Sequence, residues 1–474
     1  MFFQRLYDTK LAQASYIIGC QRTGEAAIVD ANRDVAQYVA AAAREGLRIA
    51  YVTETHIHAD FVSGSRELAH VTGAQLLLSD EGDADWKYAF PTTDNVRLLK
   101  DGEHFMVGNI RVEALHTPGH TPEHLSFLVT DTTAAAGPWG ILTGDFVFVG
   151  DVGRPDLLEK AAGHIGTMEA SARTLFRSLQ RFRALPDRLQ LWPGHGAGSA
   201  CGKALGAIAS STVGYEKIAN WGVATTDESE FVRMVLDGQP EPPRYFAQMK
   251  QINKRGPRLL GGWPQAPKLP APTLLSLLQN HAVVVDTRPA DQFASGHVPG
   301  TINIPLNDSF TTWAGWLLPY DQDVYLLVDD ACHDCASTAS RDLAMIGLDR
   351  VTGVFGTDAL DAWTSTGQPL AVIAQATATE VATMLRDGTA TVIDVRGRTE
   401  WEAGHLPGVE NIPLGYLDER LHELPTHLPV VVHCQGGARS AIAASLLQAH
   451  GVPHVVNMAG GFLAWNVAQL AVHR

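Results

Sequence analysis

The strongest constraint on what this chain can fold into is a repeat of its own sequence. Residues 286–306 read DTRPADQFASGHVPGTINIPL and residues 394–414 read DVRGRTEWEAGHLPGVENIPL, identical at ten of 21 positions at a fixed offset of 108 residues. A repeat of domain length means two copies of one folding unit. Each copy opens on an apolar strand (AVVVD, TVIDV), passes through a turn and a helix to a second apolar strand (VYLLVD, PVVVHC), and continues into another helix. That alternation predicts a parallel sheet with helices on both faces. Two α/β domains are expected, over 273–371 and 372–474.

The 474 residues leave room for a further domain ahead of the repeat. Residues 1–236 read as short apolar strands (Ser15 to Ile18, Ala26 to Val29, Ile49 to Val52, Gln75 to Leu78, Leu125 to Val129, Gly140 to Leu142, Gln190 to Leu191) with Gly/Asp/His-rich loops and a helical stretch from Val35 to Glu45. This is a mixed α/β domain whose polar chemistry sits on loops. Residues 237–272 hold eight prolines and a basic stretch of Lys250, Lys254, Arg255 and Arg258 with little periodicity, which predicts a linker or docking strap.

Charge and composition exclude some functions. With 36 Lys and Arg against 51 Asp and Glu the net charge is −15, which disfavours a nucleic-acid partner or an anionic membrane surface. No apolar run approaches membrane-span length, and Arg5, Asp8 and Lys10 interrupt the amino terminus, so a cytoplasmic protein is expected. Five cysteines are too few and too scattered for a disulfide framework.

Four polar loops follow strands in the first domain: THIHAD (Thr55 to Asp60), HTPGHT (His116 to Thr121), TGD (Thr143 to Asp145) and PGHG (Pro193 to Gly196). Loops at strand ends can converge. Imidazoles and carboxylates gathered there suit a first-row transition metal, and two histidines with one carboxylate leave positions open for non-haem iron(II) chemistry. The set resembles the metallo-β-lactamase superfamily in its glyoxalase II-like branch, which implies an αββα sandwich over residues 1–236. The family pattern is HxHxDH, whereas this chain has HxHxDF, with Phe61 at the last ligand position of a second metal site. One metal per chain is therefore expected. Together with GDVGRPDL (Gly150 to Leu157) and PPRYFAQMKQIN (Pro242 to Asn253), the pattern looks like the persulfide dioxygenases.

That resemblance implies one Fe(II) per chain held by His56, His120 and Asp145, with His58, Asp60 and His195 around them. His116 is the rival of His120, with a loop hydrogen-bonding role as its simpler reading. Arg154 is expected to hold a carboxylate or phosphate of the thiol carrier. The implied reaction takes a thiol persulfide and O2 to sulfite and free thiol.

In the last domain the strand PVVVH ends at Cys434, followed by QGGAR and a helical run. A cysteine between a strand end and a helix start meets backbone N–H groups and a positive dipole end, both of which favour a thiolate. Gly436 and Gly437 let the loop curl, and Arg439 adds positive charge. CQGGARS with DVR and GHLPG resembles the rhodanese family, which implies sulfane-sulfur transfer through Cys434, with Arg439 orienting the anionic partner. Aligning Gly347 with Gly451 sets Asp330 opposite Cys434 and puts DACHDC in place of CQGGAR, so the first copy is read as structural. Its Cys332 and Cys335 form a C-x-x-C that could be redox-active or metal-binding. Cys20 reads as a core residue, and Cys201, six residues after His195, as a candidate sulfur relay.

The leading expectation is thus a fusion of an iron persulfide dioxygenase, a degenerate rhodanese-like domain and an active one, acting on small thiol persulfides, O2, sulfite and thiosulfate. Family members are often oligomeric, so the resemblance implies a homo-oligomer. Two other readings stay open: a dinuclear zinc thioester hydrolase carrying a sulfurtransferase appendage, and a non-enzymatic sulfur carrier or sensor.

Overall fold

The computed structural model describes residues 1–92, 94–157, 166–203, 205–239, 241–424 and 427–473. The chain divides into two compact units, one of Met1–Gly262 with Met345–Gly347, the other of Trp263–Ala344 with Leu348–Arg474.

The first unit is built on two six-stranded sheets. One runs in sequence order through β1 (Phe2–Asp8), β2 (Gln13–Cys20), β3 (Glu25–Val29), β4 (Arg48–Thr53), β5 (Gln75–Ser79) and β6 (Val96–Leu99). The other takes the order β12-β11-β10-β9-β8-β7 from β7 (His104–Val107), β8 (Ile110–His116), β9 (Leu125–Asp131), β10 (Gly140–Gly144), β11 (Gln190–Pro193) and β12 (Ser211–Thr212). Between them lies a core that includes Tyr16, Ile18, Val29, Leu77, Phe105, Val112, Phe127 and Leu142. The outer face of the first sheet packs Ile28, Val52 and Leu76 against Tyr38 and Leu68 of the helices Val35–Arg44 and Ser65–Thr72. Ile141 and Leu191 of the second sheet meet Leu175, Leu179 and Phe182 of the helix Met168–Arg183. Burial on both faces explains why β2, QASYIIGC, is buried throughout rather than alternating. β1, β6, β7, β8 and β12 were not read from sequence. β8 alternates buried and half-buried residues, a weaker apolar signal than β9 carries.

The stretch expected as a linker is instead divided between the two units. Tyr245–Arg255 forms a helix that buries Tyr245, Phe246, Met249, Lys250 and Asn253 in the first unit. Further on, Leu269 N donates to Val354 O and Val354 N to Pro267 O in the second. The prolines mark where the chain cannot continue a helix, and apolar residues between them supply the packing. No helix among the described residues is long and apolar enough to cross a membrane.

The second unit holds both copies of the repeat. The first copy is a four-stranded parallel sheet in the order β14-β13-β15-β16, from β13 (Val283–Asp286), β14 (Ile302–Asn303), β15 (Val324–Leu327) and β16 (Val351–Phe355). The second is a five-stranded parallel sheet in the order β17-β21-β20-β18-β19, from β17 (Ala374–Ala376), β18 (Thr391–Asp394), β19 (Glu410–Asn411), β20 (Val430–His433) and β21 (Val455–Met458).

Candidate metal centre and cysteine loop

Five loops that follow β3, β4, β8, β10 and β11 bring their polar residues together. His56, His120 and Asp145 are buried, and one ligand atom from each lies within 4.8 Å of the others. His120 Nε2 stands 3.5 Å and His56 Nε2 3.9 Å from Asp145 Oδ2. What prepares these rings is the hydrogen bond on their other nitrogen. His120 Nδ1 donates to the carbonyl of Arg154 at 3.2 Å, leaving Nε2 as a lone pair. His56 Nδ1 meets Thr55 Oγ1 at 2.9 Å, and Thr55 gives its only hydroxyl proton to Asp30 Oδ2 at 3.0 Å, so the imidazole is the donor here too. Burial first, then the neighbouring imidazoles of His58 and His120, hold His56 well below its ordinary pKa and keep it neutral.

His56 Nε2 and both oxygens of Asp145 are buried with no hydrogen-bond partner. Lone pairs aimed at one another in a dry place are costly unless a cation lies between them. The donor set, two imidazoles and a carboxylate, fits a first-row transition metal.

Three residues that hold this set were not singled out from sequence. Asp30 ends β3 at a left-handed φ of 55° and accepts from Thr55 N at 2.7 Å as well as meeting His58 Nε2 at 3.2 Å. A carboxylate closing the strand AAIVD is the one hint of it in the sequence. His124 Nε2 accepts the amide proton of Asp145 at 3.2 Å while its Nδ1 bonds Thr117 Oγ1 at 2.8 Å, which orients the loop carrying the carboxylate. Asn253 donates to the carbonyls of His58 and Phe61, both at 2.8 Å, and accepts from Ser63 N at 2.9 Å, so the helix expected as a strap clamps the HIHADF loop. Gly194 is required by close approach: a Cβ there would stand 2.8 Å from Asp145 Oδ1.

The remaining expected residues separate into distinct places. His58 turns to Asp30, with its ring 4.5 Å from that of Phe61. His116 Nε2 bonds the carbonyl of Pro122 at 2.8 Å, outside the cluster. Asp60, His195 and Cys201 form a second cluster of potential ligand atoms, all buried. Cys201, expected on a loop bordering the metal pocket, stands beside Asp60 and His195. Burial pushes the Cys201 thiol well up, with the carboxylates of Asp60 and Asp145 adding to it.

Arg154 departs from its expected role. Its guanidinium is fully buried, paired with Asp156 through Nε at 3.0 Å and Nη2 at 2.8 Å, and Nη1 donates to Ala200 O at 3.0 Å. Satisfied within the protein, it braces the backbone that receives His120 and does not present itself to a thiol carrier.

Residues 8–195 match the metallo-beta-lactamase superfamily, and residues 271–355 and 377–468 each match the rhodanese-like domain. A crystal structure of a metallo-beta-lactamase from Staphylococcus aureus is 42% identical, covers 75% of this chain and 99% of that one, and superposes with a TM-score of 0.67. This chain belongs to the metallo-beta-lactamase superfamily. Its metallo-beta-lactamase domain is followed by two rhodanese-like domains. The mitochondrial persulfide dioxygenase ETHE1 of Bos taurus is 27% identical over 200 residues, 41% of this chain and 68% of that protein. A hydroxyacylglutathione hydrolase of Rhodospirillum rubrum is 29% identical over 181 residues, 38% of this chain and 60% of the hydrolase. The chain thus spans less than two thirds of that hydrolase.

In the second rhodanese-like domain Cys434 follows β20, buried, and accepts a hydrogen bond on Sγ from Gly437 N at 3.1 Å. Gly437 adopts φ 109°, open to glycine, which turns its amide back toward the sulfur at the start of the helix Ala438–Ala449. Arg439 differs from expectation: it is already engaged, Nη1 with Glu400 Oε2 at 2.5 Å and Nη2 with Glu400 Oε1 at 2.8 Å. Burial opposes ionisation of Glu400, but the bonds and charge of Arg439 outweigh it and hold the carboxyl below its ordinary range. A cavity of 360 Å³ lined by Arg396, Glu400, Gln435 and Phe462 adjoins the loop.

The first copy requires a second correction. β15 pairs Asp286 with Leu327, and β20 pairs Asp394 with His433, so the residue after the strand, Val328 rather than Asp330, is the counterpart of Cys434. The segment from Val328 to Gly347 is two residues longer than that from Cys434 to Gly451, and the earlier alignment took its register from the far side of the insertion. Asp330 accepts from Thr357 N and Oγ1, both at 2.7 Å, and Cys332 and Cys335 are joined as a disulfide.

Proposed function

We propose that this protein oxidises low-molecular-weight thiol persulfides with O2 to sulfite at an iron(II) centre of His56, His120 and Asp145, and passes sulfane sulfur through Cys434 to yield thiosulfate. The observation that carries this reading is that a set of two neutral imidazoles and a carboxylate shares a chain with a cysteine cradled by a backbone amide. Both are suited to anionic sulfur.

The overall first reaction balances as RSSH + O2 + H2O → RSH + SO3²⁻ + 2H⁺. Held by His56, His120 and Asp145, iron(II) would supply the redox chemistry that joins a soft sulfur anion to O2. The chain's own contribution is orientation. Arg154 O and Thr55 Oγ1 fix the two rings so that Nε2 faces inward, and His124 aims Asp145. At the second site sulfite attacks the outer sulfur of the Cys434 persulfide, SO3²⁻ + Cys434–S–S⁻ → Cys434–S⁻ + S2O3²⁻, and the Gly437 amide stabilises the departing thiolate. Tethering the two sites raises the effective concentration of sulfite at Cys434. Cys201 stands beside the centre as a candidate holder of sulfur.

The test is oxygen uptake by the iron-loaded full chain with a thiol persulfide, with sulfite and thiosulfate separated. His56→Ala, His120→Ala and Asp145→Ala each remove one of three ligands and are expected to abolish iron binding and oxygen uptake while Cys434-dependent sulfur transfer persists. Wild type is expected to release mainly thiosulfate, and Cys434→Ser mainly sulfite at a similar rate of oxygen uptake. A dinuclear zinc hydrolase is the competing reading, favoured by the second ligand cluster at Asp60, His195 and Cys201. Hydrolysis of S-lactoylglutathione by zinc-loaded protein, without oxygen uptake from persulfide by the iron form, would replace the dioxygenase.

A further inference from the structure

The loop after β15 carries a reactive group apart from both the metal ligands and Cys434. Cys332 and Cys335 are joined as a disulfide, whereas Cys20, Cys201 and Cys434 are free and buried. The bridge lies open to solvent, with Cys332 exposed and Cys335 half-buried. We infer that this pair is a thiol–disulfide exchange centre that takes dithiols, so that the copy without a cysteine at its strand end carries a redox chemistry of its own. This goes beyond the proposed oxidation and sulfur transfer and uses none of their residues.

A bracing role does not account for the bridge. A disulfide stabilises chiefly by closing a loop in the unfolded chain, and this one joins cysteines only three positions apart, where the gain is smallest. The loop is also anchored without it. Asp330 accepts from Thr357 N and Oγ1, both at 2.7 Å, and pairs with Lys268 at 3.3 Å. Cys332 N donates to Asp329 O at 3.0 Å, and Ala331 N to Asp329 Oδ1 at 2.9 Å. Opening the bridge leaves all of these bonds in place. Solvent-open bridges of this kind belong to the labile class that exchanges with thiols.

The two sulfurs are unlike. Cys332 is the more exposed, so an incoming thiolate attacks there. Cys335 opens the helix Cys335–Met345, where Thr338 N already bonds Asp334 O at 2.8 Å, and the free amides of that first turn stabilise the thiolate that leaves. A dithiol HS–D–SH that has lost one proton to water gives Cys332–S–S–D–SH and Cys335–S⁻. The Cys335 thiolate takes the remaining thiol proton, the freed sulfur closes a disulfide within D, and Cys332–S⁻ departs and is protonated by water. Two electrons pass from dithiol to bridge: Cys332–S–S–Cys335 + D(SH)2 → Cys332–SH + Cys335–SH + D(S–S). Asp329 and the exposed Asp334 stand on either side of the pair in the loop, so an uncharged or basic dithiol is favoured over an anionic thiol.

The test equilibrates the native full chain with mixtures of reduced and oxidised glutathione, blocks thiols with iodoacetamide, and reads the mass of the peptide that holds Cys332 and Cys335. The bridge is expected to open within that range and to close again when the mixture is reversed. A bridge that stays closed in reduced glutathione and opens only in denaturant, or a pair that never closes in oxidised glutathione, overturns the proposal. Cys335→Ser is expected to hold Cys332 as a mixed disulfide with glutathione, and failure to form one overturns Cys332 as the attacked sulfur. Asp329→Asn combined with Asp334→Asn is expected to speed opening by anionic glutathione about threefold or more at low ionic strength, with the rate for uncharged dithiothreitol unchanged. An equal change for both probes overturns the selection by charge. Thiosulfate:cyanide transfer reads Cys434 and oxygen uptake reads the metal ligands, so an inert bridge leaves the proposed oxidation and sulfur transfer standing.

Discussion

The two rhodanese-like domains repeat one scaffold, with four strands in the first sheet and five in the second, and the difference that bears on chemistry lies in one loop. Arg288 binds both oxygens of Asp286 and the carbonyl of Gly296, as Arg396 binds Asp394 and the carbonyl of Gly404. Asn303 donates to the carbonyls of Asp286 and Arg288, and Asn411 to those of Asp394 and Arg396. His297 stacks on Phe293 and His405 on Trp401, each pair at 3.8 Å. Then β15 runs on into Val328 and an acidic disulfide loop, whereas β20 runs into Cys434 and two glycines. The D-x-R and G-H-x-P-G signatures therefore mark the frame. They say nothing about whether a copy is chemically active.

That comparison can be broken at graded strengths. The largest effect is expected from Cys434→Ser, since a hydroxyl stays protonated at neutral pH: thiosulfate:cyanide transfer should fall to background, and normal turnover in this variant would move the chemistry elsewhere. Next come the shared struts. Arg288→Ala and Arg396→Ala each take the guanidinium from a buried carboxylate, and each is expected to cost about 3–5 kcal/mol in the unfolding transition of its domain, with Asp394 keeping His433 Nε2 at 3.6 Å. Unequal losses, read from urea midpoints, would mean that the duplicated pair does different work in the two copies.

A smaller effect is expected from Glu400→Gln, which installs the residue that the first copy carries as Gln292. Arg439 loses its bidentate partner, and sulfur transfer should drop by about tenfold, the order of a lost charge-assisted bond of 1.5–3 kcal/mol, with Cys434 still alkylated by iodoacetamide. An unchanged kcat/KM would show that Arg439 needs no holding. The smallest effect belongs to Val328→Cys in the Cys434→Ser background. A thiol at the matching strand end lacks the glycine turn that brings an amide to the sulfur, so activity should stay at background; recovery would show that position alone suffices.

How much was legible follows from the length of the chain that each feature spans. The repeat, the four histidine and aspartate loops and the Cys434 loop are local strings, and local strings carry backbone geometry: strand, glycine turn, helix start. They located the metal loops and marked Cys434, and the family resemblance preferred His120 to His116. Partners escaped. Arg154 and Arg439 read as open charges, because a sequence displays a guanidinium without the carboxylate that answers it. Val328 was passed over because an insertion of two residues is invisible without the sheet register.

Sequence by itself, through motifs that resemble two known families, determined a metallo-beta-lactamase domain followed by two rhodanese-like copies, one with a cysteine at the strand end and one without, since short motifs survive any detail of packing. Tertiary structure alone decided which nitrogens face a metal, through Asp30 with Thr55 and the Arg154 carbonyl with His120, and it alone brought Cys201 beside Asp60 and His195. The physical reason is that burial removes water as the default partner. Every polar atom must then find another from a distant part of the chain, and that choice is made by how the layers pack.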